Sequence, residues 1–122
     1  MTFSILIVDD DDDLRKSLAH LLEGLPNVLI QMAANGREAL DIISSARIDL
    51  VITDIQMPIM NGAELLQAVQ QLSATKPKVV VMSGYSPYSP ETLVKMGAHA
   101  FFEKPGISAL LNMAKKMATT AA

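Results

Sequence analysis

The sequence predicts an α/β domain, a doubly wound five-stranded parallel sheet built from five successive β–α units. Two observations carry this prediction: five short apolar runs rich in β-branched or aromatic residues, and an amphipathic segment after each of them. A third is the length. The 122 residues leave room for a single domain over 1–122, long enough to bury roughly two-thirds of the surface its unfolded chain exposes.

The first strand is expected over Ser4–Val8, and the helix after it carries Leu14, Leu18, Leu21 and Leu22 at helical spacing. Between them, Asp11, Asp12 and Asp13 suit a helix cap and first turn, where carboxylates complement the helix dipole. The second strand is expected over Val28–Met32, and Asn35 followed by Glu38 marks the start of the second helix. Leu50–Thr53 reads as the third strand. Asn61 with Glu64 then opens a helix whose apolar face is Leu65, Val69 and Leu72. After a fourth strand at Val79–Met82, Ser89-Pro90 looks like a cap with proline at the first helical position, and Gly97 looks like the stop. Pro87 and Pro90 leave room for only a brief fourth helix. The fifth strand is expected over Ala100–Glu103, and the small, polar tail Ala118–Ala122 is expected to fray at its end.

Composition excludes several function classes. There is no cysteine, hence no disulfide framework, thiolate metal site or cysteine nucleophile. Net charge is −3, with no basic run to neutralise phosphates, so no direct nucleic-acid partner is expected. The apolar run Ile5–Val8 is too short for a signal peptide or a membrane span, so a cytoplasmic protein with no membrane partner is expected. The acids are unevenly placed. Asp9 to Asp13 form a block directly behind the first apolar run, and part of that block should be held in place.

In a doubly wound sheet the site lies beyond the carboxyl ends of the strands. The residues at those places are Asp9 and Asp10 after the first strand, Asp54 after the third, Ser83 after the fourth and Lys104 after the fifth. Only the second run ends without ionisable chemistry, in Ala33-Ala34. Three carboxylates at one edge repel each other unless a cation sits among them, and oxygen donors suit Mg²⁺. A lysine opposite can neutralise an incoming anion, and a serine hydroxyl can bond it. These are the parts of a phosphoryl-transfer site. No base stands beside Ser83, which disfavours a serine nucleophile, whereas Asp54 can itself attack phosphorus. A calcium loop fails on spacing, with Leu14 where glycine is required and His20 where a bidentate glutamate is required. A flavodoxin-like nucleotide binder shares the architecture but wants amide and hydroxyl donors where the aspartates stand, and there is neither G-x-G-x-x-G nor a P-loop.

Four segments then carry a resemblance that covers essentially the whole chain: Ile5 to Asp10, Asp49 to Gly62, Val79 to Gly84, and Phe101 to Pro105. Together, in this order and spacing, they resemble the receiver domain of two-component response regulators. The resemblance implies a flavodoxin-like sheet of strand order 2-1-3-4-5. It implies that Asp54 is the phosphoacceptor and that Asp9, Asp10, Asp54 and the backbone carbonyl of Gln56 hold Mg²⁺. Ser83 and Lys104 would contact the phosphoryl oxygens, and Phe101 would turn inward as Ser83 moves. The donor would be a sensor histidine kinase or a histidine phosphotransfer protein. The output would be an effector or output domain bound at the face of the fourth helix, fifth strand and fifth helix. The domain would catalyse only its own phosphorylation and dephosphorylation, so it is not expected to be an enzyme acting on a separate substrate.

Each residue also has a plainer reading. Taken alone, Lys104 is a surface lysine, Ser83 a turn serine and Phe101 core packing; their places at strand ends favour the functional reading. Asp11, Asp12 and Asp13 read as helix-capping acids, and His20 and His99 as surface residues. The eight methionines read as core filler, with Met96, Met113 and Met117 as candidates for a partner face. Departures from the family pattern are Gly106 where phenylalanine is common, Asn61 for a frequent aspartate, and the short segment from Ser83 to Gly97. Gln56 and Tyr85 flank the phosphoryl position, and the Lys104-Pro105 bond is a candidate for the cis form. The alternative function is a receiver-like interaction module that works without phosphorylation. The initial methionine and the absence of a linker favour a stand-alone regulator over a receiver cut from a larger protein.

Overall fold

The computed structural model describes residues 2–72, 76–104 and 106–120; Pro105, and with it the expected cis bond, lies outside them. Five strands alternate with five helices: β1 Phe3–Val8, α1 Asp12–Leu22, β2 Val28–Ala33, α2 Gly36–Ser45, β3 Leu50–Thr53, α3 Gly62–Gln70, β4 Lys78–Ser83, α4 Pro90–Lys95, β5 Ala100–Glu103 and α5 Ile107–Thr120. All neighbouring strands are parallel, in the order β2-β1-β3-β4-β5. The expected fold class and strand order are both present.

Side chains alternate across a strand, so the central strands divide their residues between two cores. Ile5, Ile7, Leu50, Ile52, Val80 and Met82 face α1 and α5. Leu6, Val8, Val51, Val79 and Val81 face the layer of α2, α3 and α4. Burial on both faces explains why these strands read as continuous apolar runs. On the helix side, Leu18 and Leu22 of α1 are buried, and Leu22 is 0% exposed. Burying such a side chain contributes about 1.5–3 kcal/mol. Leu21, expected on the same face, is instead 44% exposed, because the helix turns it past the edge of the apolar stripe.

The helix starts follow the expected chemistry. Asp11 accepts the Leu14 N–H at 3.1 Å and Asn35 accepts the Glu38 N–H at 2.9 Å. Asn61 and Glu64 form a reciprocal capping box. Ser89 caps α4, which spans only six residues, and Gly97 ends it at a φ of +114°. α5 is helical through Thr120, and the hydroxyls of Thr119 and Thr120 donate to the carbonyls of Lys115 and Lys116; the last residues, 121–122, where fraying was expected, lie outside the described residues.

Register places the site. Val8 pairs with Thr53, Thr53 with Val81, and Ser83 with Glu103. Asp9, Asp54, Ser83 and Lys104 therefore emerge along one edge of the sheet. The loop after β3 is held there by a close backbone approach: a Cβ on Gly62 would lie 1.9 Å from the Asp54 carbonyl oxygen. The Gly62 N–H also donates to the Ile55 carbonyl at 2.9 Å. Gly84, by contrast, has room for a Cβ, with its nearest neighbours 4.0 Å away on Lys104. Gly62→Ala is expected to destabilise the fold by at least about 2 kcal/mol in urea unfolding, while Gly84→Ala stays within about 0.5 kcal/mol. Equal effects at the two positions would contradict this account of the loop.

Candidate functional site

The strand ends bring two buried carboxylates to one ammonium. Lys104 Nζ lies 2.7 Å from Asp54 Oδ2 and 3.1 Å from Asp9 Oδ2, and Asp54 and Asp9 are 9% and 6% exposed. Each carboxylate spends its other oxygen on the backbone. Asp9 Oδ1 accepts the Asp11 N–H at 2.9 Å, and Asp54 Oδ1 accepts the N–H groups of Ile55 at 2.6 Å and Gln56 at 3.4 Å. These bonds fix both side chains, leaving Asp54 Oδ2 and Asp9 Oδ2 directed at the cation.

Burial shapes the charges. Desolvation pushes the Asp9 carboxyl above its ordinary range, only partly offset by the Asp11 N–H and by Lys104. Burial by itself would lower the Lys104 ammonium, but its bonds to Asp54 and Asp9 outweigh that and hold it above its usual value. Lys104 is therefore firmly charged, and the pair of acids remains short of positive charge. Asp10 is exposed. Among the described residues, no three acidic or histidine side chains converge as a ready-made metal site. The crowding expected of three carboxylates is thus confined to two, with the ammonium between them. The donor set still fits a hard divalent ion: every candidate ligand atom on Asp9, Asp10, Asp54 and Gln56 is oxygen, and Asp9 is a buried acid that charge neutralisation favours.

Ser83 is the last residue of β4 and is buried. Its hydroxyl donates to the Tyr85 carbonyl at 2.5 Å and accepts the Tyr85 N–H at 3.3 Å, so it is committed to its own turn. Its carbonyl accepts the Lys104 N–H at 3.1 Å, joining the two strand ends. Phe101 is half-buried and packs against the core on the α2–α4 side. His20 and His99 are exposed, as expected.

Three further features had little or no signal in the sequence. Arg15 donates to the Asp9 carbonyl at 2.7 Å and also pairs with Asp12, tying α1 to the acidic loop. The signal available was an arginine one turn into a helix that begins at the acids. Gly36 donates to the Met60 carbonyl at 2.9 Å, and a Cβ there would lie 2.7 Å from that oxygen. Ile59, in the loop after Asp54, has a φ of +69° and is 81% exposed. A β-branched residue in the left-handed region costs about 1–3 kcal/mol. It is held by the Met60 N–H, which donates to the Pro58 carbonyl at 2.7 Å. No pattern in the sequence announces it.

Comparison with known proteins places this geometry in context. A family model for the response regulator receiver domain matches residues 5–115. The chain is 38% identical over 107 residues to a protein-glutamate methylesterase/protein-glutamine glutaminase of Geobacillus kaustophilus, covering 85% of this chain and 30% of that protein. It is 33% identical to the response regulator MprA of Mycolicibacterium vanbaalenii, covering 86% of this chain and 45% of that one. The chain thus spans less than half the length of these curated relatives. Among solved structures, a CheY-like receiver domain from Methanospirillum hungatei superposes with a TM-score of 0.84 at 31% identity, covering 98% of this chain and 96% of that one. The chemotaxis response regulator CheY4 of Vibrio cholerae does so with a TM-score of 0.83 at 29% identity, covering 95% and 98%. A match over nearly the whole chain, agreeing with the strand order and with the acids and lysine at the strand ends, means that this chain belongs to the response-regulator receiver family.

Proposed function

We propose that this domain is a phosphorylatable switch, which accepts a phosphoryl group on Asp54 in a Mg²⁺-dependent reaction and thereby changes its protein contacts. The observation that carries the reading is the Lys104 ammonium held between Asp54 and Asp9 at the sheet edge. An arrangement with two buried acids and one cation is poised to receive further positive charge together with a phosphoryl group. The donor is a phosphohistidine on a sensor kinase or phosphotransfer protein, and the domain turns over only itself.

A carboxylate oxygen of Asp54 attacks phosphorus, the phosphorus–nitrogen bond to the donor imidazole breaks, and the imidazole leaves with the bonding electrons. Water later attacks the aspartyl phosphate, returning the carboxylate and inorganic phosphate. The Ile55 N–H on Oδ1 keeps the Asp54 carboxylate oriented for the attack. Lys104 then pairs with a phosphoryl oxygen in place of the bare carboxylate. Asp9, Asp10, Asp54 and the Gln56 carbonyl would hold Mg²⁺, which when bound neutralises charge on the phosphoryl oxygens.

The switch lies in Ser83. To bond the phosphoryl group its hydroxyl must leave the Tyr85 carbonyl, which frees the turn leading into α4 and opens space beside Phe101. The output surface is the face of α4, β5 and α5, where Tyr85 and Val94 are 69% and 55% exposed beside it. The six-residue α4 makes that surface smaller. Among the described residues, no helix is long and apolar enough to cross a membrane.

Intact-protein mass after incubation with Mg²⁺ and acetyl phosphate is expected to gain one phosphoryl group. The gain should be absent in Asp54→Asn and in a chelated sample; no gain in a folded wild-type protein overturns the proposal in favour of a phosphorylation-independent interaction module. Lys104→Met removes the shared cation and is expected to cost about 1–3 kcal/mol in chelator, with Mg²⁺ recovering much of the loss in thermal unfolding. Because burial raises Asp9, the folded state keeps its proton at pH values where the unfolded chain has lost it. Asp9 therefore subtracts stability as pH rises through that window, and a bound cation reverses the effect. The rise in Tm produced by Mg²⁺ should accordingly shrink as pH falls, beginning above the ordinary carboxylate range; a rise independent of pH would contradict this.

A further inference from the structure

At the end of the sheet opposite the acids, a groove of about 910 Å³ opens where β3 and β4 begin and α5 ends. Its rim carries Arg47, Lys76, Lys78 and Lys116, four of the ten basic residues in a chain whose net charge is −3. The one carboxylate among them, Asp49, is already engaged: Oδ2 accepts the Ser4 N–H at 2.8 Å and Oδ1 lies 3.3 Å from Arg47. Among the described residues, no carboxylate pairs with Lys76, Lys78 or Lys116. Elsewhere, Arg15 and Lys16 pair with Asp12, Arg37 with Asp41 and Lys104 with Asp9 and Asp54, while Lys95 and Lys115 have no carboxylate partner among the described residues. Of the five lysines without a carboxylate partner among the described residues (Lys76, Lys78, Lys95, Lys115 and Lys116), three line this groove, while the block from Asp9 to Asp13 gathers negative charge at the other end.

The space between the cations is apolar, lined by Phe3, Ile43, Ile48 and Met117. Its volume lies within the range of about 300–1,000 Å³ typical of clefts that enclose a ligand or a few side chains. We propose that this groove docks an acidic, amphipathic peptide segment of a partner protein, whose apolar side chains enter the floor while its carboxylates meet the lysines on the rim. Charge complementarity selects this occupant: beside the Arg47–Asp49 pair the rim offers three lysines without a carboxylate partner, and the polarity of the whole molecule steers an anionic chain to this end. A nucleotide fits less well. The one aromatic residue lining the groove, Phe3, is 6% exposed and offers no open face for a base to stack on. The inference is independent of phosphorylation, since none of these residues belongs to the strand-end site.

The test is fluorescence anisotropy with a labelled synthetic peptide alternating leucine and glutamate, using the full chain. Three competitors accompany it: the same peptide with lysine for glutamate, an acidic peptide with serine for leucine, and ATP. Saturable binding is expected for the leucine–glutamate peptide alone, weakening as salt rises to about 0.3 M. The double variant Lys78→Glu/Lys116→Glu, both positions being exposed, should bind at least about tenfold more weakly while keeping wild-type circular dichroism and phosphoryl uptake. The proposal is overturned by equal binding in the double variant, by no saturable binding in the wild type, or by ATP or the serine peptide binding as tightly.

Discussion

Two buried carboxylates share a single ammonium at the carboxyl edge of this sheet, and that shortage of positive charge organises the rest of the molecule. Taking charged groups out of water is costly unless each is paired and hydrogen-bonded. Asp9 and Asp54 meet that condition only jointly, through Lys104 on one side and backbone N–H groups on the other. The arrangement therefore favours more positive charge, which in the proposed function arrives as a cation together with the phosphoryl group. Removing Lys104 or supplying a divalent ion shifts the same balance in opposite directions.

The scaffold exists to keep this balance in place. The apolar runs of β1, β3 and β4 bury on both faces and fix the register that brings Asp9, Asp54 and Lys104 within bonding distance. Gly62 lets the loop after β3 close against the Asp54 backbone, and Gly36 clamps Met60 from the α2 side. The strained Ile59 turn lies between those two clamps, which together over-determine its conformation.

Most of the fold was legible because its signals are local and repeat. Strand boundaries shifted by a residue or so, with Ser83 joining β4 instead of following it, and the caps at Asp11, Asn35, Asn61 and Ser89 appeared where side-chain chemistry placed them. The placement of the candidate site residues was legible for a different reason: parallel β–α topology makes every strand end a candidate, and four of five carried reactive groups. What stayed hidden depends on contacts between distant segments or on rotamers. The bond from Ser83 to the Tyr85 carbonyl, the reach of Arg15 to the Asp9 carbonyl and the exposure of Leu21 are set by tertiary neighbours. The basic groove was hidden too, because Arg47, Lys78 and Lys116 lie far apart in sequence and form no run.

The central claim is that Lys104 and Ser83 change partners when Asp54 carries a phosphoryl group. A crystal structure of the domain with Mg²⁺ and beryllofluoride, which mimics that group, tests it most directly. The account predicts beryllofluoride on Asp54, with Lys104 Nζ and the Ser83 hydroxyl both within hydrogen-bond distance of fluoride and the Tyr85 carbonyl released. Beryllofluoride bound with the Ser83 hydroxyl still on the Tyr85 carbonyl, or no binding at Asp54 at all, would contradict it.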